Sequence, residues 1–215
     1  MITMTTINFL TTNILILFMF LSSNSKTYAK VLYEGNKEIP MEIYEEVKTA
    51  LSFYPELKET SIDFKIKKSL NKSFMKAQPK FLSVFKGRNK RSYKILISDK
   101  FIVDGLSLSL TDLPKDVLVG WIGHELGHIM DYRERSSFNL IWFGIKYMIS
   151  GPFIRKAEYL ADYHAVSHGM ADFILKTKRY ILNHSDLSEK YKSRIKRFYV
   201  SPDRVLKLVN DLKSN

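Results

Sequence analysis

The chain has 215 residues, 45% of them hydrophobic, and a formal net charge of +12. This length and composition are typical of one globular domain, or of two small ones, with enough apolar residues to form a core without cross-links. The chain has no cysteine, which excludes both a disulfide framework and a cysteine-ligated zinc site.

Residues 1–29 have the pattern of a secretory signal peptide. An apolar run at residues 14–21 is followed by polar residues, and Thr27 and Ala29 provide small side chains before a cleavage point. The apolar run is shorter than the about 20 residues of a membrane-spanning helix. No Lys or Arg precedes it, so an uncleaved membrane anchor is the alternative. We therefore expect an exported protein, periplasmic or extracellular, with residues 30–215 as its folded domain.

Lysine is concentrated between residues 58 and 100, with basic runs at residues 65–68 and 86–91. A positive potential of this kind attracts nucleic acid or anionic lipid, although a solvated, lysine-rich surface is the simplest interpretation. Because an exported protein rarely meets genomic DNA, we expect no nucleic-acid partner. Peripheral contact with a membrane is the better functional interpretation.

Hydrophobic periodicity predicts the first half of the fold. Residues 40–53 form a predicted helix that stops near Pro55, and the alternation of Ile62, Phe64 and Ile66 with polar residues predicts a strand. A second, short strand is expected within residues 73–84, interrupted at Pro79. After a turn at residues 87–89, residues 93–98 form a third predicted strand.

The second half is predicted to be helical, from Asp112 to Leu212. Asp112 can cap the first of these helices, Pro114 fits its first turn, and Asp116 suits its positively polarised end. The pattern therefore predicts an α+β fold, with a small mixed sheet followed by a mostly helical half.

Residues 123–128 read Gly-His-Glu-Leu-Gly-His and predict a zinc site. His124 and His128 are one helical turn apart, so both imidazoles can bind one Zn²⁺ at about 2.0–2.1 Å. Glu125 lies about 100° around the same helix, where it can take a proton from a water that the metal has acidified. The pattern indicates metal-assisted hydrolysis. The alternative is a surface helix that carries two histidines by chance.

Three glycines, Gly120, Gly123 and Gly127, lie on the side of this helix opposite Glu125. Each destabilises a helix interior by roughly 1 kcal/mol relative to alanine. We interpret them as a flat strip that lets another backbone approach, with simple tolerance in a stable helix as the alternative.

A catalytic zinc usually has three protein ligands, and two residues compete to be the third. Glu134 lies where some proteases place a third histidine. To reach the metal from there, the chain would have to turn sharply after His128, and the residue at the turn is Asp131 and not glycine. Glutamate is also the wrong residue type at that ligand position. Glu158 shares a predicted helix face with Asp162 and with two small alanines. We favour Glu158 as the ligand and Asp162 as the carboxylate that orients a ligating histidine. A solvent-facing acidic pair is the alternative.

These motifs, His124-Glu125-x-x-His128 and Glu158-x-x-Ala161-Asp162, resemble those of the gluzincin metallopeptidases. The similarity covers residues 93–169 and is closest to the HtpX-like and CAAX prenyl proteases and their smaller soluble relatives. It implies a gluzincin-type domain with zinc endopeptidase activity on a peptide or protein substrate. It also implies one zinc per chain bound by His124, His128 and Glu158, with Glu125 as general base and the strand at residues 93–98 binding substrate backbone.

The membrane enzymes of that family have transmembrane helices between the two motifs, whereas this chain has only residues 129–157 there. A single span would separate His128 from Glu158 across the bilayer, so we expect the apolar run at residues 138–154 to be a core or interfacial helix. The resemblance also implies a residue that stabilises the oxyanion. The sequence does not choose among the candidates, which are Tyr163, His164, His168 and His184.

The second candidate function belongs to a different class. The chain would be a membrane-surface binding protein with a structural or inactive zinc site, acting through its basic face and residues 138–154.

Overall fold

The computed structural model describes residues 30–70, 73–103, 106–183, 189–199 and 201–214. The predicted signal segment, residues 1–29, lies outside the described residues, as does His184. Export therefore stays a prediction.

Five strands form one mixed sheet. They are β1 (Val31–Glu34), β2 (Lys37–Pro40), β3 (Ser61–Lys67), β4 (Met75–Pro79) and β5 (Ser92–Ser98). The order across the sheet is β1-β2-β3-β5-β4. Strands β2, β3 and β5 run parallel, and β1 and β4 pair antiparallel with their neighbours. The predicted strands are confirmed, whereas the β1–β2 hairpin was not predicted.

The sheet buries one face of its two central strands. Ile62 and Phe64 of β3, and Ile95 and Ile97 of β5, are almost completely buried in a single core. The helix α1 (Tyr44–Ser52) connects β2 to β3, as the crossover between parallel strands requires. Its position agrees with the helix predicted over residues 40–53.

The prediction that residues 93–98 offer a free strand edge to substrate is wrong. Strand β5 pairs with β3 on one side and with β4 on the other, so both of its edges are occupied. The outer strand on this side of the sheet is β4. It ends at Pro79, which suits an edge because proline has no N–H to contribute to a ladder.

A two-stranded antiparallel sheet, formed by β6 (Lys100–Val103) and β7 (Leu106–Ser109), leads into the helical half. This hairpin was not predicted. The helices are α2 (Lys115–Glu134), α3 (Ser137–Ile149), α4 (Gly151–Ser167), α5 (Ala171–Asn183), α6 (Glu189–Phe198) and α7 (Pro202–Lys213). The helical half is thus confirmed.

The start of α2 differs from the prediction. Asp112 lies in a short 3₁₀ turn and does not cap the helix, whose N-cap residue is Pro114, without a side-chain hydrogen bond. Asp116 does lie in the first turn, where its charge favours the positive end of the helix dipole.

Helix α2 is the centre of the domain. It packs against α1, α4, α5 and β4, and all residues from Ile122 to Ile129 are buried. A helix enclosed on all sides can carry polar groups only if other elements supply partners for them, which is the situation of its two histidines.

The apolar run at residues 138–154 forms parts of two helices, not one. Ser150 ends α3 and caps α4 by accepting a hydrogen bond from the Phe153 N–H, and Pro152 follows in the first turn. This break turns the chain so that α4 can pack against α2. Within the described residues, no helix combines the length and the apolarity needed to cross a membrane.

Candidate metal centre

Three side chains with metal-binding atoms converge between α2 and α4. His124, His128 and Glu158 are all buried, and one potential ligand atom from each lies within 4.8 Å of the others. Glu158 Oε2 lies 3.0 Å from His124 Nε2 and 3.7 Å from His128 Nε2. Ligand atoms of a tetrahedral zinc are separated by about 3.3 Å. These two distances lie on either side of that value, so the group could hold a metal ion.

Glu134, the competing candidate, is not part of this group. It is the last residue of α2 and is exposed. Asp131, where a sharp turn would have been needed, lies within the helix and binds the Arg135 guanidinium through both oxygens at 2.8 and 2.9 Å. The structure therefore brings Glu158, and not Glu134, to the two histidines.

Asp162 lies one turn after Glu158 and contacts the far side of the same histidine. Its Oδ1 is 2.9 Å from His124 Nδ1, and its Oδ2 is 2.7 Å from Lys178 Nζ on α5. A carboxylate on the second ring nitrogen is the usual support of a ligating histidine. Lys178 was missed in the sequence, where it is one of many lysines, and only its burial distinguishes it.

Tyr147 completes the surroundings of Glu158. Its hydroxyl donates to Glu158 Oε1 at 2.5 Å, while Oε2 faces the histidines. Each carboxylate oxygen thus has a separate role, and the hydroxyl selects the oxygen that faces the site. Tyr147 lies inside the apolar run, where no motif marked it.

The buried charges favour a cation at this position. Burial lowers the pKa of His124, but the Asp162 and Glu158 carboxylates outweigh burial and raise it to about 10. Burial raises the pKa of Glu158, whereas His128 and His124 reverse this effect and hold it below its usual range. Asp162 already has the Lys178 ammonium as its partner, whereas Glu158 faces only the two histidines and Tyr147. An ionised carboxylate in the interior needs a positive charge beside it, and a metal ion held by Glu158 and the histidines would supply it.

Glu125 makes a hydrogen bond to the sheet. Its Oε2 accepts a hydrogen bond from the backbone N–H of Ala77 in β4, with 2.6 Å between the atoms. Burial raises the pKa of Glu125, although His128 and His124 act in the opposite direction. Glu125 is thus next to His124 in the chain but is not one of the three residues that could hold a metal ion.

A cleft of about 680 Å³, part of it open to solvent, borders His124 and Glu125. Apolar and aromatic side chains dominate its walls, where the rings of Phe74 and Trp121 pack at an angle of 37° with centroids 4.5 Å apart. Among the described residues, the polar groups in its walls include Lys178 and Tyr199.

The three predicted oxyanion candidates that the structure describes do not line this cleft. His168 stacks on Tyr54 and lies 3.3 Å from Glu56, which indicates a structural role. Tyr163 and His164 are not among the residues that line the cleft. Tyr199, which the sequence analysis missed, lines the cleft, and its ring lies 6.1 Å from that of His124.

The glycine strip is confirmed in part. A β-carbon at Gly127 would overlap the carbonyl oxygen of Ala161, so the helix that carries Glu158 approaches α2 there through its backbone. Gly123 faces a different neighbour, the side chain of Met170, and Gly120 faces Phe173 and Thr177 of α5. The expected approach of another backbone is thus present at Gly120 and Gly127 but absent at Gly123.

Comparison of the chain with protein-family models, with curated proteins and with solved structures found no match.

Proposed function

We propose that the protein is a zinc-dependent endopeptidase of the gluzincin type. The observation that carries this proposal is the buried group of His124, His128 and Glu158, with Glu125 beside it at the edge of a cleft. Nitrogen and carboxylate donors in a set of three suit a catalytic zinc, because the fourth position stays open.

The ligands would be held in place by their neighbours. Asp162 fixes the ring of His124, and Tyr147 fixes the carboxylate of Glu158. Zinc bound there supplies the Lewis acidity that polarises the scissile carbonyl and acidifies a water. One such ion per chain is expected.

Glu125 would move the proton. Its carboxylate accepts a proton from the attacking water and passes it to the leaving amine. Burial raises its pKa, which brings the carboxylate closer to the range of an efficient general base at neutral pH. The Ala77 N–H keeps one oxygen in place while the other stays free to act.

The substrate would lie along β4. The Lys80 N–H donates to the Ser92 carbonyl, and the Ser98 N–H donates to the Phe74 carbonyl. The backbone N–H and C=O groups of the even-numbered residues of β4 therefore point towards β5. Met75, Ala77 and Pro79 therefore direct their backbone groups away from β5, and the Ala77 N–H donates to Glu125. An extended peptide that pairs with this edge would place its backbone beside the general base.

The test is cleavage of an unfolded protein by the wild type, the wild type with chelator, and Glu125→Gln, with zinc content measured in parallel. We expect cleavage only by the metal-loaded wild type. Metal without any hydrolysis in the wild type would contradict the proposal and favour the alternative, a membrane-surface protein with an inactive zinc site.

A further inference from the structure

Helix α3 is apolar on its outer face as well as on its inner one. Leu140 and Phe143 are buried on the inner side. The outer face exposes large apolar side chains, among them Phe138 (80% exposed), Trp142 (50%) and Met148 (77%), together with Ile141, Ile145 and Ile149. A helix on the surface of a water-soluble domain normally carries polar residues on that face.

A second apolar segment lies beside the start of α3. The 3₁₀ segment Phe81–Lys86 exposes Phe81, Leu82 and Phe85. Ser137, in the first turn of α3, donates its hydroxyl to the Val84 carbonyl at 2.7 Å. We call the outer face of α3 and these three residues the apolar platform. A contiguous exposed surface of this kind marks a binding site.

The chain around the platform is basic and lacks acidic residues. There is no Asp or Glu between residues 64 and 98, or between residues 135 and 157. Lys86, Arg88 and Lys90 are exposed next to the 3₁₀ segment, and Lys146 lies over the Trp142 ring at 5.5 Å. Apolar side chains bordered by cations complement the interface of an anionic membrane.

We propose that the apolar platform docks into the headgroup region of a membrane that contains anionic lipid, with α3 parallel to the surface. Helix α3 spans residues Ser137–Ile149, about 20 Å, and is too short to cross a hydrocarbon core of about 30 Å. Pairing of two platforms would bring like charges together, so lipid is the partner that the charge favours. This inference does not depend on the proposed peptidase activity.

Docking would bring the metal centre close to the lipid. Tyr147, on the inner side of α3, contacts Glu158, so the centre and the platform lie on opposite sides of one helix. The thickness of a helix with its side chains is about 10–12 Å.

The test uses the two tryptophans of the full chain. Trp121→Phe leaves Trp142 on the platform, and Trp142→Phe leaves Trp121 in the cleft. Both are mixed with vesicles of phosphatidylcholine and phosphatidylglycerol that carry bromines on the upper acyl carbons. We expect a blue shift and strong quenching of Trp142, and much weaker quenching of Trp121. Added salt should weaken the effect.

A second pair of variants measures the apolar contribution. Phe138→Ser/Met148→Ser removes two highly exposed side chains, and Tyr33→Ser removes one of similar exposure (78%) on β1. The double variant should lower partitioning at least about tenfold, and Tyr33→Ser should not change it. Vesicle binding without Trp142 quenching would show docking through another segment, such as residues 1–29, and would overturn the proposal. If the Trp142 emission shifts to the blue without lipid as the protein dimerises, the platform binds a second copy of this chain, and the proposal is overturned.

Discussion

Glu125 accepts a hydrogen bond from the backbone N–H of Ala77, with 2.6 Å between Oε2 and N. This bond joins the centre of α2 to the outer strand of the sheet, although the residues are far apart in the chain. In the proposed peptidase, it would orient the general base along the strand edge that a peptide substrate would use. Any change in the position of β4 would then alter both substrate alignment and proton transfer.

The first prediction concerns this base. Glu125→Gln should lower peptide hydrolysis by roughly 10²–10⁴-fold, the usual contribution of a general base, and should still bind zinc because the residue is not a ligand. Activity and metal content are measured on the same preparation. Glu134→Gln, at the exposed end of the same helix, is the control and should keep both. Loss of zinc in Glu125→Gln would contradict the role assigned to it.

The second prediction is that Glu125→Gln stabilises the metal-free protein at neutral pH. The pKa of Glu125 is raised above 4.5 in the fold, so its contribution to stability is fully present below pH 4.5 and is lost as the pH rises through the folded pKa. Glutamine has no such loss. In thermal unfolding with chelator, the wild type and the variant should have equal melting temperatures near pH 4. At pH 7 the variant should melt at a higher temperature, by roughly 2–4 °C for each kcal/mol of added stability. A wild type that is the more stable at pH 7 would disprove this.

The third prediction identifies the third ligand. Glu158→Ala should abolish activity and most zinc binding, because it removes the buried carboxylate that faces both histidines. Asp162→Asn should weaken zinc affinity or activity by about 10–100-fold, and Glu134→Ala should do neither. Zinc titration of the three proteins distinguishes these cases. If Glu134→Ala loses the metal while Glu158→Ala keeps it, the gluzincin assignment fails.

The fourth prediction separates two glycines on α2. Gly127→Ala should destabilise the fold more than Gly123→Ala, because its β-carbon would overlap the Ala161 carbonyl. At Gly123 the β-carbon meets the flexible side chain of Met170, which can move. Leu126→Ala, a core truncation of about 2–5 kcal/mol, calibrates the denaturant curves. Equal stability of the two alanine variants would exclude a backbone contact between α2 and α4.

The fifth prediction concerns the buried ion pair between Lys178 and Asp162. Lys178→Met leaves the carboxylate without its cation, and breaking a buried pair destabilises a fold by roughly 3–5 kcal/mol. Zinc affinity should fall as well, because Asp162 positions His124. The control is Lys176→Met. Lys176 lies on the same helix as Lys178 and forms an exposed ion pair with Asp116 of α2. Should both variants behave alike, the ion pair has no role in the site.

The sequence determined the parts of the site that depend on local geometry. His124, Glu125 and His128 are placed by the turn of one helix, and a helix has the same turn in any fold. Glu158 and Asp162 were found for the same reason, as residues one turn apart. The strand β3 was predicted from alternation, because a strand buried on one face must alternate.

Only the tertiary structure decided which distant groups meet the helix. Whether residues 93–98 form an edge strand or an interior strand depends on which strands pair with them. The sequence of the strand does not distinguish these two positions in the sheet. Lys178, Tyr147 and the Ala77 N–H contact the site from three other elements. No spacing in the sequence marks them, because long-range contacts are set by how helices and sheet pack. The outer face of α3 is a further case, since an apolar run reads the same whether it is covered by protein or exposed.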